Sequence, residues 1–133
     1  MKGNVTSVVL SGAGTKGYCG RLNGSYSGTL PVALIGSDGT TATAHRNMGI
    51  FMESYDSGDL GSLQTDGVCE FAVAGGVIAP GILCTTSAAG KVVAAASGDR
   101  AFLRMIGGKS STGATADGAL CTVEILPTYI DIA

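Results

Sequence analysis

Apolar and polar positions alternate in short runs along this chain, and glycine closes nearly every run. No stretch of useful length repeats apolar residues at the i, i+3, i+4 spacing of a capped helix. The pattern predicts strands over residues 5–10, 18–22, 30–35, 48–54, 68–73, 77–79, 82–86, 91–96, 101–106 and 119–126. Asn23-Gly24 reads as a turn after the second run, because both residues tolerate positive φ. Pro31 places the third run at a sheet edge, or starts it just after the proline, since proline cannot donate to a ladder. Pro127 stops the last run, and residues 107–118 form a long loop of small residues. The best helix candidates, 41–52 and 91–96, are weakened by Gly49 and by β-branched runs. Many short strands at roughly 8–12 residue spacing predict an all-β fold, a compact β-barrel or sandwich with glycine-rich turns and little helix.

The domain division that follows is an N-terminal arm with the first strand at 1–17, then a single β-barrel-like domain at 18–133. A faint internal echo accompanies it. Residues 49–71 and 107–124 each read as a strand, a polar glycine-containing loop, and a strand opened by Asp-Gly. The echo suggests two related hairpin units in one barrel.

Composition changes the picture in one respect. Of 133 residues, 22 are Gly and only 14% are charged. A typical soluble domain carries about 25% charged residues. Mean hydropathy is +0.37, yet no window approaches the roughly 18 unbroken apolar residues of a membrane helix. Either Ser, Thr and Gly keep the surface wet, or apolar surface is covered by oligomerisation or docking. The net charge of −2 and the absence of a basic stripe argue against nucleic acid and against anionic membrane. The first ten residues lack the apolar core of a signal peptide, so folding in a reducing cytosol is expected.

Candidate chemistry is sparse. Cys19, Cys69, Cys84 and Cys121 form an even set that admits disulfides or zinc. No pair has C-x-x-C spacing, and His45 is the sole imidazole. Three of the four lie in apolar runs, so buried thiols are expected. Gly12-Ala13-Gly14-Thr15-Lys16-Gly17 fits the dinucleotide pattern G-x-G-x-x-G, but Gly20, Gly24 and Gly28 follow where a helix would be needed. Gly107-Gly108-Lys109-Ser110 resembles the end of a P-loop, but Leu103 stands where the first glycine belongs. His45 lacks a nucleophile and an orienting acid. Asp38, Asp59, Asp66, Asp99 and Asp117 all adjoin glycine, which is turn chemistry. The chain is therefore expected to have no catalytic residues, no cofactor and no metal.

With the runs laid out, a resemblance emerges. Its pieces are Met48-Gly49-Ile50 with Glu53, the run from Gly67-Val68 to Val73, and Gly75-Gly76-Val77-Ile78-Ala79-Pro80-Gly81. Ala88-Ala89-Gly90-Lys91-Val92, residues 101–107 and residues 122–126 complete it. In this order and spacing, residues 18–126 resemble the small capsid cement, or head decoration, proteins of tailed bacteriophages. Residues 1–17 and the cysteines do not take part. The resemblance implies a homotrimer at three-fold positions, bound to the major capsid protein on the virion exterior after synthesis in the host cytoplasm. It carries no catalytic residues. Met1, Lys2, Gly3, Asn4 and Val5 of the arm, with Arg46 and Lys109 in polar or glycine-rich segments, are the candidate capsid contacts. The alternative is a phage tail or adhesion module that binds carbohydrate. The low aromatic content, 5% with no Trp, counts against that alternative, because sugar rings stack on aromatic faces.

Overall fold

The structure, a computed structural model, describes residues 4–36, 47–108 and 115–132. Among these residues the protein is all-β, with ten strands and no helix. They are β1 (Val5–Leu10), β2 (Cys19–Ser27), β3 (Leu30–Ile35), β4 (Asn47–Phe51), β5 (Leu60–Gln64), β6 (Gly67–Val73), β7 (Leu83–Thr86), β8 (Val92–Ala94), β9 (Arg100–Gly108) and β10 (Leu120–Asp131). The first five close into a barrel in the order β1-β3-β2-β4-β5. The other five form a sheet in the order β6-β10-β9-β7-β8. Its two edge strands meet at one end through a parallel bridge between Ala74 and Val92.

β1 is a barrel stave. It lies parallel to β3 and antiparallel to β5, with Val5 opposite Gln64 and Val9 opposite Leu60. Closure leaves the barrel without an edge, so Pro31 is accommodated differently from the sequence expectation. The β2–β3 turn is the two-residue loop Gly28-Thr29, flanked by the pairs Ser27–Leu30 and Tyr26–Pro31. Gly28 has φ 64°, which fits a type II′ hairpin with glycine first. In such a hairpin the closing pair is hydrogen-bonded and the next pair is not. The missing N–H of Pro31 therefore faces away from β2. The pairing with β1 begins one residue later, at Val32.

Other boundaries also move. Asn23-Gly24 does not turn the chain; it sits in a bulge of β2, where the register shifts between Leu22 and Tyr26. The Asn23 side-chain oxygen accepts bonds from Ser25 N–H at 3.0 Å and Ser25 hydroxyl at 2.6 Å. That local ring satisfies the groups the bulge frees from the ladder. Pro127 does not end β10. It falls where the register with β9 breaks between Ile125 and Ile130, beyond the last pair with β6, Ile125–Gly67. Residues 77–79 are not a strand, and residues 91–96 contribute the short strand β8. The described part of 41–52 is β4, also a strand. The echo between 49–71 and 107–124 is not a structural repeat. Its first copy crosses from the barrel to the sheet, while its second runs from β9 to β10 within one sheet.

Two apolar clusters hold the molecule. Val8, Leu10, Ala33, Phe51 and Leu63 fill the barrel, with Tyr18, Leu22, Ile35 and Tyr55 packed around them. The larger cluster joins Phe102, Leu103, Met105, Val123 and Ile125 of the sheet to Cys19 and Ile50 of the barrel. Backbone bonds reinforce this junction: Cys19 N–H to Gly90 O at 2.7 Å, and Val73 N–H to Gly17 O at 3.1 Å. The buried Gln64 side chain spans it as well, donating to Asp66 O and Val68 O, both at 3.0 Å.

Candidate functional site

Among the described residues, the glycine loop that looked like chemistry in the sequence is consumed by the fold, whereas Lys109 and Ser110 of the P-loop-like run lie outside them. The loop from Gly12 to Gly17 leads into strand β2, and its N–H groups point at the 51–57 segment. Gly12 donates to Ser57 Oγ at 3.1 Å, Gly14 to Tyr55 O at 2.9 Å, Lys16 to Ser54 Oγ at 3.1 Å and Gly17 to Phe51 O at 3.0 Å. A phosphate cradle needs such groups free and at a helix N-terminus. Gly17 explains the glycine: its φ is 84°, and a Cβ there would lie 2.2 Å from Phe71 O. Lys16 lies over the Phe71 ring, 5.3 Å from its centroid.

Several acids are likewise engaged in the fold. Asp59 accepts from Asp56 N–H and Asp99 from Ala96 N–H, both at 2.8 Å, closing their own turns. Lys91 and Asp117 pair at 2.9 Å, Arg100 and Asp131 at 2.6 Å, and Arg104 and Glu124 at 3.8 Å. The hydrogen bond and charge of Asp117 hold the Lys91 ammonium above its ordinary pKa. All four cysteines are buried thiols. Burial pushes Cys19 and Cys84 from 9.0 up to about 12, so neither is a nucleophile near neutral pH. Among the described residues, no group of three or more His, Cys, Asp or Glu side chains could hold a metal ion. His45 lies outside the described residues.

Of the candidate contact residues, Met1, Lys2, Gly3, Arg46 and Lys109 lie outside the described residues. Asn4 and Val5 are placed, and the fold holds both. Asn4 is clasped by Asp66, whose carboxylate accepts its backbone N–H at 2.5 Å and its side-chain amide at 2.7 Å. Asn4 O in turn accepts Thr65 N–H at 2.8 Å. Val5 is half-exposed and paired in β1. Beside the clasp is an open cleft of about 370 Å³, walled by Asn4, Asp66, Val68, Glu124, Ile125 and Pro127. It brings the start of β1 against the irregular stretch of β10. Sequence reasoning missed it, because no local pattern pairs residue 4 with residue 127.

What the surface does offer is apolar side chains in water. Val77 is 83% exposed, Tyr26 75% and Leu60 68%. Ile82, Ile106 and Leu120 are exposed as well. Tyr26 is on the barrel hairpin and Leu60 at the start of β5, whereas Val77, Ile82 and Ile106 lie on the sheet side. Such surface suits contact with another macromolecule.

The fold and this surface define a class: a two-part all-β domain, barrel beside sheet, whose exposed features are apolar side chains and ion pairs. Among solved structures, the crystal structure of the head fiber gp8.5 N base of bacteriophage phi29 is similar, with a TM-score of 0.66 and 15% identity. The likeness covers 96% of this chain and 98% of that one. At that identity it shows a shared fold. No protein-family model matches the chain. No curated protein matches it either.

Proposed function

We propose that this chain is a structural protein of a tailed-phage head, bound to the outside of the expanded shell as a cement protein and stabilising it. The observation that carries the reading is the fold likeness to a phage head fibre base over nearly the whole of both chains. The cement-protein resemblance of residues 18–126 points the same way. So does the engagement of the described loop amides, acids and thiols in the fold itself. In this reading the protein is not an enzyme and takes no cofactor. Copies group in threes at three-fold positions of the shell and contact the major capsid protein. A protein that binds only the expanded shell stabilises it by mass action. Many weak contacts on one closed lattice add up through bridging.

The carbohydrate reading is less well supported. Tyr26 and Tyr129 lie on different sheets, and Tyr129 packs against Arg100, whose guanidinium is 5.9 Å from the ring centroid. They offer no common stacking face.

The test is co-sedimentation of the purified chain with expanded and unexpanded heads of the phage whose genome carries its gene. Binding to expanded heads alone, with a higher temperature of DNA release, is the expected result. Binding to neither form, or equal binding to both, ends the reading. A truncation tests the arm: removing Met1–Gly3 leaves the Asn4–Asp66 clasp and the β1 pairing in place, so a loss of binding then reports contact.

A further inference from the structure

From residue 71 to residue 90 the chain contains no Asp, Glu, Lys, Arg or His. The connection from β6 to β7 lies inside this stretch. Its apolar side chains divide into two that anchor, Ala74 and Ile78, and others that project. Ile78 is buried in the main core. Val77 is the most exposed of the large apolar side chains among the described residues, and Ala79, Pro80, Gly81 and Ile82 are exposed with it. Gly81 N–H donates to Met105 O at 2.7 Å, and Met105 N–H donates to Ile82 O at 2.9 Å. These bonds set the loop beside Ile106, which is exposed next along β9.

The loop is held from beneath. Thr115 is 3% exposed, and its hydroxyl accepts Ile78 N–H at 2.6 Å while donating to Gly76 O at 2.8 Å. Gly75 N–H donates to Val92 O at 2.7 Å. Both ends and the middle of the connection are therefore tied to other strands, and the apolar tip is ordered before any partner arrives. Binding through such a tip avoids the ordering cost of a loose loop.

We infer that residues 75–82 form a preset apolar plug that seats in an uncharged apolar socket on the shell subunit; the inference rests on the shell-binding reading above. Charge selects the partner. An ionised group buried against residues 71–90 would lose its water and find no counter-charge there. A second copy of this chain is the rival occupant, and the mass of the free variants tests it.

The experiment compares Val77→Asp with Leu60→Asp, another exposed apolar site, on the barrel, in co-sedimentation with expanded heads. The mass of each free variant in solution is measured alongside. Val77→Asp is expected to lower apparent affinity by about tenfold or more, as for a central apolar anchor, with an unchanged melting temperature. Val77→Ala loses less, and Leu60→Asp binds as the parent chain does. Parental binding by Val77→Asp overturns the plug and leaves the shell-binding reading standing. A Val77→Asp variant whose free oligomer falls apart also overturns it, since the loop then contacts a second copy. Failure of the parent chain to sediment with heads removes the shell-binding reading, and the plug's partner with it.

Discussion

Burial changes the acid–base chemistry of Cys19 and Cys84. Each thiol keeps its proton up to about pH 12 in the folded protein, against 9.0 for an ordinary cysteine. The unfolded chain therefore releases these protons first. Their contribution to stability is complete below pH 9 and is lost as pH rises toward 12. Each can remove up to about 1.4 kcal/mol per pH unit across that window. Denaturant titrations at pH 8 and at pH 10 should show the fall, and Cys84→Ala should reduce its slope. Burial also raises Tyr129 above its ordinary 10.0, so it adds to the fall as pH approaches and passes 10. Thiol reagents at pH 8 should label none of the four cysteines until the protein unfolds. Gly17→Ala tests close packing at the same scale. A left-handed residue costs about 1–2 kcal/mol, and a Cβ forced against Phe71 O adds roughly 1–3 kcal/mol of overpacking. A melting temperature within a degree or two of the parent's would contradict that placement.

The clasp of β1 belongs to the scale of elements. Asp66 opens β6 yet bonds twice to Asn4, so one side chain ties the first barrel stave to the start of the sheet. The groups are exposed, so the effect is modest. Asp66→Ala should cost about 0.5–1.5 kcal/mol and speed amide exchange at Thr65, whose N–H bonds Asn4 O. Unchanged exchange at Thr65 would mean that the clasp does not hold the strand end. Elements were read well where alternation was strong: β1 and β3 have the expected bounds. They were read poorly where Gly or Pro carried the argument. Asn23-Gly24 and Pro127 satisfy turn chemistry, but long-range ladders on either side carry the strands through them as irregularities.

Barrel and sheet share the larger of the two apolar clusters, and this decides how the whole molecule unfolds. Ile50 of β4 belongs to the same buried cluster as Leu103, Val123 and Ile125 of the sheet. Loss of either part would expose the other's apolar face, so calorimetry should show a single two-state transition. Ile50→Ala should lower that transition as a unit by about 2–5 kcal/mol; two resolved transitions would show the parts to be independent. Head binding should also respond weakly to salt between roughly 0.05 and 0.5 M, because an uncharged contact has little Coulomb energy to screen.

Alternating apolar runs, glycine punctuation and the lack of helical periodicity were enough to establish an all-β chain and to anticipate its buried thiols, because these are local consequences of burying one face of a strand. Chain closure was not local. The joining of β1 to both β3 and β5, the meeting of Asn4 with Pro127 across the cleft, and the support of Thr115 beneath Ile78 each bring together residues far apart in sequence. Such contacts depend on which strands pair and in what register. Those choices are settled by the packing energy of the complete core, and no window of the chain contains it.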